Sequence, residues 1–233
     1  MGWHEGELEM QRRAGVRVAR VPGPDIPPVA GAFLEAQPFV VVATVSSDGA
    51  VSASLLAGDP GFARATDART LTLEPRTGHL ERVSADVDAT GILGLLAIHP
   101  ATRRRMRVNG AAVRNGRCFT VTTSEVYSNC PQYIHTQPTP SDTFFIATAH
   151  PTHGADVSHR GGPPGFVQVE GNRLTWPDYP GNNMFNTLGN LVVNPRCGLL
   201  FVDFERGTTR QLRGFATVHG DAERYVTFES ALS

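Results

Sequence analysis

The feature that most constrains the fold is a repetition of the residue pattern at an offset of about 104 residues. Residues 40–44 (Val-Val-Val-Ala-Thr) return as residues 144–148 (Phe-Phe-Ile-Ala-Thr). Further pairs at nearly the same offset are Pro60-Gly61-Phe62 with Pro164-Gly165-Phe166, Leu71-Thr72-Leu73 with Leu174-Thr175-Trp176, Gly94-Leu95-Leu96 with Gly198-Leu199-Leu200, and Gly110 and Ala112 with Gly214 and Ala216. Ordered matches at one offset are not expected by chance, so the sequence indicates an internal duplication.

Each copy is typical of a small β-barrel. Short β-branched runs such as residues 39–45 are followed by turn residues such as Asp48-Gly49, a dipeptide that favours a hairpin. The 24 glycines and 17 prolines suit many short strands joined by turns. The pattern predicts about six short strands and one short helix in each copy. The predicted fold class is therefore mainly β with short helices.

The pattern divides the chain into four parts. Residues 1–37 form an N-terminal arm, in which four prolines between residues 22 and 28 forbid a continuous helix. Residues 29–37 are predicted to form a short helix with Phe33 and Leu34 facing inward. Residues 38–133 form the first repeat, residues 143–233 form the second, and the Pro-containing residues 134–142 link them.

Charge and composition exclude several classes of partner. Lysine and arginine number 21 against 22 aspartates and glutamates, so no general attraction to nucleic acid or to an anionic membrane is expected. The apolar runs are too short to span a bilayer, and the acidic N-terminus does not resemble a secretory signal. Three cysteines without CxxC spacing support neither a disulfide framework nor a Cys₄ zinc site. The expected location is therefore the cytoplasm.

Several motifs are read as structural. The sequence contains neither GxGxxG nor GxxxxGK[ST], which argues against a Rossmann or P-loop nucleotide site. His150 and His153 flank a predicted turn and are expected to be solvated, so no metal site is predicted. The basic residues 103–105 and Arg107 are interpreted as a solvated turn that enters a strand.

The two repeats differ most at one strand end and in one loop. The second repeat carries Ser158-His159-Arg160-Gly161-Gly162 where the first has Ala53-Ser54-Leu55-Leu56-Ala57. It also has Gly181-Asn182-Asn183, which is predicted to open a helix. A helix N-terminus and an arginine fork both favour a phosphate, and Trp176 offers a surface for a planar ring. Because these features occur in one copy only, they indicate a phosphorylated, planar ligand.

The second repeat resembles the pyridoxamine 5′-phosphate oxidase-like family of FMN-binding split barrels. The resemblance covers residues 144–148, 158–167, 174–183, 194–201 and 210–214. The first repeat resembles the family less closely, and residues 127–133 are similar to a segment that follows the last strand in several flavin-binding relatives. The resemblance implies a split β-barrel of the FMN-binding type, with two tandem repeats forming a pseudo-dimer.

The resemblance also implies roles for individual residues. Arg160 holds the position that contacts the FMN phosphate, with Ser158, His159 and Gly161 beside it, and His159 is the candidate catalytic residue. Trp176 and Pro177 hold the positions that line the flavin, and Gln211 the position that approaches the isoalloxazine ring. Asn182 and Asn183 stand where the family has a basic pair. The segment Asn129–Tyr133 is expected to supply a cover from the first repeat, with Asn129, Cys130 and Gln132 as cofactor contacts.

The function implied is that of an FMN-dependent oxidoreductase with an unassigned small-molecule substrate and NAD(P)H as a transient reductant. Three alternatives stay open: a non-enzymatic flavin-binding protein, a haem-binding or haem-degrading split barrel, and a deazaflavin in place of FMN. Since the first repeat lacks the phosphate residues, at most one FMN per chain is expected. The pseudo-dimer is expected within the chain, and a homodimer stays open.

Overall fold

The computed structural model describes residues 2–231. The helices are α1 (Glu5–Arg13), α2 (Pro28–Glu35), α3 (Leu80–Thr90) and α4 (Asn186–Val193). The strands of the first half are β1 (Phe39–Val45), β2 (Val51–Ala57), β3 (Ala63–Ala65), β4 (Thr70–Leu73), β5 (Thr77–Gly78), β6 (Ile92–His99), β7 (Arg104–Asn115) and β8 (Cys118–Ser128). Those of the second half are β9 (Thr143–His150), β10 (Gly154–Gly161), β11 (Gln168–Glu170), β12 (Arg173–Pro177), β13 (Arg196–Asp203), β14 (Thr208–His219) and β15 (Tyr225–Ser230).

The strand order is the same in the two halves. The first sheet runs β3-β4-β8-β7-β6-β1-β2-β5, and the second runs β11-β12-β15-β14-β13-β9-β10 when read in the same direction. Every strand from β9 onward thus has a counterpart in the first half, and β5 is an addition at the edge of the first sheet. All the pairings are antiparallel. The predicted fold class is confirmed: the chain is mainly β with short helices, and each half is a curled sheet of the split-barrel type.

Three apolar clusters form the core of the molecule. One lies inside the first half, one lies inside the second, and the third joins the two halves. The alternation of β1 shows how this works, because Val40 and Val42 belong to the first cluster while Val41 and Ala43 belong to the shared one. Successive side chains of a strand point to opposite faces, so β1 faces its own barrel on one side and the other repeat on the other.

Two glycines at equivalent positions allow the halves to approach closely. A Cβ atom on Gly94 would stand 2.8 Å from the carbonyl carbon of Ala155, and one on Gly198 would stand 2.6 Å from the backbone nitrogen of Ala53. Both distances are shorter than carbon atoms tolerate, so only glycine fits where each repeat meets the other.

Helix α1 lies within the segment that the sequence presents as an arm. His4 caps it by accepting from the Gly6 amide at 3.2 Å, and the Glu7 side chain accepts from the His4 amide at 3.0 Å. The helix packs on α4 through glycine, since a Cβ on Gly189 would stand 2.7 Å from the Glu7 nitrogen. The sequence signal is weak because α1 buries little apolar surface besides Met10. Helix α2 forms as predicted, with Phe33 and Leu34 buried.

None of the helices formed within residues 2–231 has the length and apolar character that crossing a membrane requires.

Candidate functional site

A cleft between the two repeats collects most of the residues singled out by the sequence. Its walls are the end of β10, the loop between β12 and α4, the start of β7 and the segment that follows β8. Ten of the twelve predicted cofactor residues line it: Ser158, His159, Arg160, Gly161, Pro177, Asn182, Asn183, Asn129, Cys130 and Gln132. Residues from both repeats therefore contribute to one site.

Trp176 lies outside the cleft. Its side chain is 1% exposed and packs edge-on against Phe144, with ring centroids 5.0 Å apart, inside the core of the second repeat. Adjacent residues of a strand face opposite sides, so Pro177 lines the cleft while Trp176 points into the barrel. The expectation that Trp176 offers a surface to a planar ring is therefore wrong.

Gln211 also lies outside the cleft, because it belongs to the equivalent place on the other side of the pseudo-dimer. Its Nε2 atom donates to the Ala53 carbonyl at 2.6 Å and to Ser54 Oγ at 3.0 Å. In the cleft the same position is held by Arg107, whose Nη2 atom donates to Ser158 Oγ. Arg107 and Gln211, like Ser54 and Ser158, are equivalent residues of the two repeats.

Arg107 is the anchor of a buried polar network. Its guanidinium donates to Asp156 Oδ2 at 2.7 Å and to the Tyr127 hydroxyl at 3.2 Å. Burial opposes the charged form, but Asp156 and Tyr127 outweigh it and raise the pKa of Arg107. Arg107 is thus a permanently charged group that holds β7 of one repeat against β10 of the other.

Arg105 lines the same cleft two residues earlier on β7. Its Nη1 atom lies 2.9 Å from His159 Nδ1, and its buried Nε atom has no hydrogen-bond partner among residues 2–231. Within that part of the chain, no carboxylate forms an ion pair with Arg105. Burial, followed by the charges of Arg107 and Arg160, lowers the pKa of Arg105 to about 10, so it stays protonated at neutral pH. The interpretation of Arg105 and Arg107 as a solvated run is wrong.

His159 is fixed as a neutral ring by its surroundings. Burial, with the charges of Arg105 and Arg160, holds its pKa well below the ordinary value. Since a guanidinium can only donate, Nδ1 must accept the bond from Arg105 and the proton must lie on Nε2. His159 therefore positions Arg105 and has no free lone pair to act as a base.

Arg160 lines the cleft opposite Arg105 and shares a carboxylate with Arg224. Its Nη1 atom donates to Asp178 Oδ1 at 2.9 Å, and Arg224 Nε donates to Asp178 Oδ2 at 3.0 Å. The buried Nε atom of Arg160 has no partner among residues 2–231. One carboxylate thus balances two guanidinium groups on this wall, which leaves it positively charged.

Ser158 adds a hydroxyl between the two walls. Its Oγ atom accepts from Arg107 and, at 2.8 Å, from the Thr187 hydroxyl in the first turn of α4. Both lone pairs are then engaged, so the hydroxyl proton is available to an acceptor in the cleft.

The loop before α4 does not start the helix where the sequence suggests. The helix begins at Asn186, its N-cap is Phe185 in a left-handed conformation, and no side chain caps it. Asn182 instead accepts from the Met184 amide at 3.1 Å, and Asn183 has a φ of 59°. The two asparagines therefore line the cleft from an exposed loop, and Asn186 and Thr187 supply the first helical turn beside it.

Two tyrosines lie at the cleft: Tyr133 belongs to the cover segment that the sequence suggested, and Tyr179 was not singled out. Tyr133, with a φ of 63°, comes from the segment after β8, and Tyr179 comes from the loop after β12. Their rings stack with centroids 5.0 Å apart and an angle of 19° between the planes. The cavity behind them has a volume of about 110 Å³. Arg105 and Arg107 lie two positions apart on one strand, and this spacing places both side chains on the same face. The sequence gives no comparable indication that the rings of Tyr133 and Tyr179 meet.

Comparison with known proteins gives a family match for the second half of the chain. The sequence model of the family described as pyridoxamine 5′-phosphate oxidase matches residues 131–233. No curated protein sequence matches the chain significantly. A solved structure of a single-residue variant of HupZ from Group A Streptococcus is 15% identical, with a TM-score of 0.35 over 44% of this chain and 98% of that one. A second HupZ structure from the same organism is also 15% identical, with a TM-score of 0.36 over 44% and 93% of the respective chains.

Proposed function

We propose that this chain, whose second repeat matches the sequence model of the pyridoxamine 5′-phosphate oxidase family, binds one FMN in the cleft and serves as an FMN-dependent oxidoreductase. The observation that carries the proposal is Arg105, a half-buried arginine that lines the cleft, has a buried Nε atom without a hydrogen-bond partner and forms no ion pair with a carboxylate among residues 2–231. An anion in the cleft would be stabilised by this charge, and the anion that the family match suggests is the FMN phosphate.

The residues present fit a phosphate group. Four arginines line the cleft, namely Arg105, Arg107, Arg160 and Arg224, and among residues 2–231 two carboxylates, Asp156 and Asp178, form ion pairs with them. The surplus of positive charge matches a phosphate dianion. The unpartnered Nε atoms of Arg105 and Arg160 and the free proton of Ser158 are donors of the kind that phosphate oxygens accept. Arg105, supplied by the first repeat, thus restores part of the positive charge that Asn182 and Asn183 lack in comparison with the basic pair of the family.

The size of the cavity agrees with a phosphate and not with a whole cofactor. Pockets that enclose a drug-sized ligand have volumes of roughly 300–1,000 Å³. The cleft, which is partly open to solvent, has a volume of about 110 Å³, so it suits the phosphate end, and the flavin ring would meet the residues nearer the surface. Tyr133 and Tyr179 are planar side chains suited to contact a ring.

FMN supplies hydride and electron transfer when it is bound. The residues of the chain bind and orient it: Arg105 and Arg160 hold charge at the phosphate, His159 fixes Arg105, and Arg107 ties the two repeats together around the cleft. We also propose that NAD(P)H reduces the bound flavin and that a small molecule is the substrate.

The proposed stoichiometry is one cofactor per chain. At the equivalent place on the other side of the pseudo-dimer, the positions of Arg105 and Arg107 are held by Thr209 and Gln211 of the second repeat, and that of Arg160 by Leu56 of the first. Thr209 Oγ1 lies 3.2 Å from His79 Nε2, and Gln211 is bonded to Ala53 and Ser54. Strand β5 also pairs with β2 across this place. Neutral side chains and a backbone strand thus occupy the second site.

The first experiment identifies the cofactor and its contacts. The purified protein is expected to show the visible absorption of an oxidised flavin, with the mass of FMN, and the apoprotein to bind one FMN. Arg105→Ala should weaken FMN binding by about 10- to 100-fold, because hydrogen bonds to charged groups contribute about 1.5–3 kcal/mol. Arg117→Ala, at an exposed turn, is the matched control and should leave the affinity unchanged.

Other results would overturn parts of the proposal. A Soret band in place of flavin absorption would favour the haem alternative. A bound cofactor with the mass of a deazaflavin would show that a deazaflavin takes the place of FMN. Equal affinities of Arg105→Ala and the native chain would remove the assigned role of Arg105. Bleaching of the bound flavin by NADPH and its reoxidation in air would distinguish an oxidoreductase from a protein that only binds flavin.

A further inference from the structure

A cluster of three histidines and a glutamate lies away from the cleft, where α1 meets the hairpin between β9 and β10. His150 ends β9, and His153 lies in the turn that follows. His4 and Glu5 come from the start of α1. The expectation that both hairpin histidines are solvated holds for His153 and is wrong for His150, which is 4% exposed.

The ligand atoms of three of these side chains lie close to one another. One ligand atom from each of His4, Glu5 and His150 lies within 4.8 Å of the other two. His150 Nε2 is 3.1 Å from Glu5 Oε1, and the rings of His4 and His150 have centroids 4.4 Å apart. Two ligands of a tetrahedral zinc ion with bonds of about 2.1 Å are about 3.4 Å apart, so small shifts complete the geometry.

We propose that His4, Glu5 and His150 form a zinc site that joins α1 to the second repeat. Imidazole nitrogen and carboxylate oxygen are a donor set that Zn²⁺ accepts, and three protein ligands leave a fourth position for water. Glu5 is mostly exposed, which gives the ion a path from solvent. The inference is independent of FMN binding, because no residue of this site lines the cleft.

His153 has a supporting role outside the coordination shell. Its Nδ1 atom lies 3.1 Å from His150 Nδ1. In the hydrogen-bond pattern of the structure, His150 Nδ1 accepts from the Thr152 amide at 3.1 Å, and so the proton of the ring is on Nε2. Coordination through Nε2 moves that proton to Nδ1, which then loses the hydrogen bond from the Thr152 amide and donates to His153 Nδ1 instead. Zinc-bound histidines commonly have such a partner for the second nitrogen.

Binding also rearranges the cap of α1. His4 Nδ1 accepts from the Gly6 amide at 3.2 Å, so His4 likewise carries its proton on Nε2. Coordination of either nitrogen exchanges this long, neutral hydrogen bond for a bond to the ion. The fold of a repeat does not require these histidines, because Ser46 and Gly49 stand at the positions of His150 and His153 in the first repeat. Within residues 2–231, the first repeat also has no helix equivalent to α1.

The test uses the untagged full chain, stripped with EDTA and titrated with zinc in competition with a chromophoric chelator. We expect one zinc ion per chain and a higher Tm with zinc, because a ligand that binds the folded state stabilises it. Co²⁺ in place of zinc should give the visible absorption of a tetrahedral site. His150→Ala and Glu5→Gln should each weaken zinc binding by at least about 100-fold, and His153→Ala by about 10- to 100-fold.

The controls decide between this site and incidental binding. His219→Ala, on β14, removes a histidine outside the cluster and should leave zinc binding unchanged. Glu5→Gln keeps the proposal testable if His150→Ala does not fold, because the Glu5 side chain is 69% exposed. Substoichiometric binding to the native chain, or binding that Glu5→Gln leaves unchanged, would overturn the proposal.

Discussion

Arg107 and Gln211 stand at the same position of the two repeats, and their partners show how the two faces of the molecule differ. Each donates to an equivalent serine, Ser158 or Ser54, across the contact between the repeats. On one side this bond belongs to a group of charged residues beside an open cleft, and on the other it joins neutral groups. The same hydrogen bond between the repeats is thus made by a charged side chain on one side of the molecule and by a neutral one on the other.

Cys130 reports on the occupation of the cleft. It is exposed and lines the site, whereas Cys197 is buried, and burial raises the pKa of both Cys197 and Cys118. Since the thiolate is the reactive form, a thiol reagent should label Cys130 first. We expect FMN to slow this fast phase, and Cys130→Ser to abolish it. A fast phase whose rate is the same with and without FMN would place the cofactor elsewhere.

Most of the site could be predicted from sequence because its residues lie in segments that differ between the repeats. Arg160 and His159, which replace Leu56 and Leu55 of the first repeat, are examples. Trp176 was misplaced because the alternation of the strand turns its side chain into the core. Gln211 was misplaced because, although it belongs to the second repeat, its side chain bonds to the first repeat on the side of the molecule away from the cleft. Arg105 was missed because a run of basic residues does not reveal that two of them face a cleft. The other wall of that cleft is formed by residues such as His159, about 55 positions later in the chain.

At the scale of elements, the packing of α1 on α4 depends on two glycines facing each other. A Cβ on Gly6 would meet the Gly189 carbonyl carbon at 2.8 Å, and one on Gly189 would meet the Glu7 nitrogen at 2.7 Å. The helices therefore touch backbone to backbone, which explains why α1 has no apolar stripe that a periodicity search would detect. By contrast, α2 is apolar enough to be predicted.

Gly189→Ala tests this contact. Alanine favours a helix by about 1 kcal/mol over glycine, but here the added methyl group must displace α1. We expect a lower Tm and faster tryptic cleavage near Arg12 and Arg13.

Gly31→Ala in α2 is the matched control for that substitution. A Cβ there meets only the Ala65 side chain, at 3.4 Å, so the change should be neutral or stabilising by up to about 1 kcal/mol. If Gly189→Ala behaved in the same way, the close contact between α1 and α4 would not exist in solution.

At the scale of the whole molecule, the shared apolar cluster makes the two repeats one folding unit. Strands β1, β2 and β6 of the first repeat and β9, β10 and β13 of the second contribute to it. The duplication, the fold class and the strand-rich composition could be read from the sequence. The strand order and the face on which the repeats meet could not, because they depend on contacts between residues about a hundred positions apart.

Gly94→Ala tests the contact between the repeats. The added carbon would strike the backbone of Ala155, and overpacking of this kind costs about 1–3 kcal/mol. The free energy of unfolding in urea should fall accordingly, and FMN binding should weaken because the cleft lies between the repeats. Gly198→Ala, at the equivalent place, should destabilise the chain similarly. Gly23→Ala, where a Cβ meets no atom within 4 Å, is the control, and an equal loss there would contradict the argument.

The covalent connection of the two repeats has a consequence for how the cleft assembles. Two separate subunits form a shared cleft only as far as mass action allows, so dilution takes the cleft apart. Here the segment between β8 and β9 keeps the partner repeat at a fixed, high effective concentration, of the millimolar order typical of short linkers. The same segment carries Cys130 and Tyr133 into the cleft, so the tether is also part of the wall. Assembly of this cleft is therefore independent of how much of the protein a cell contains.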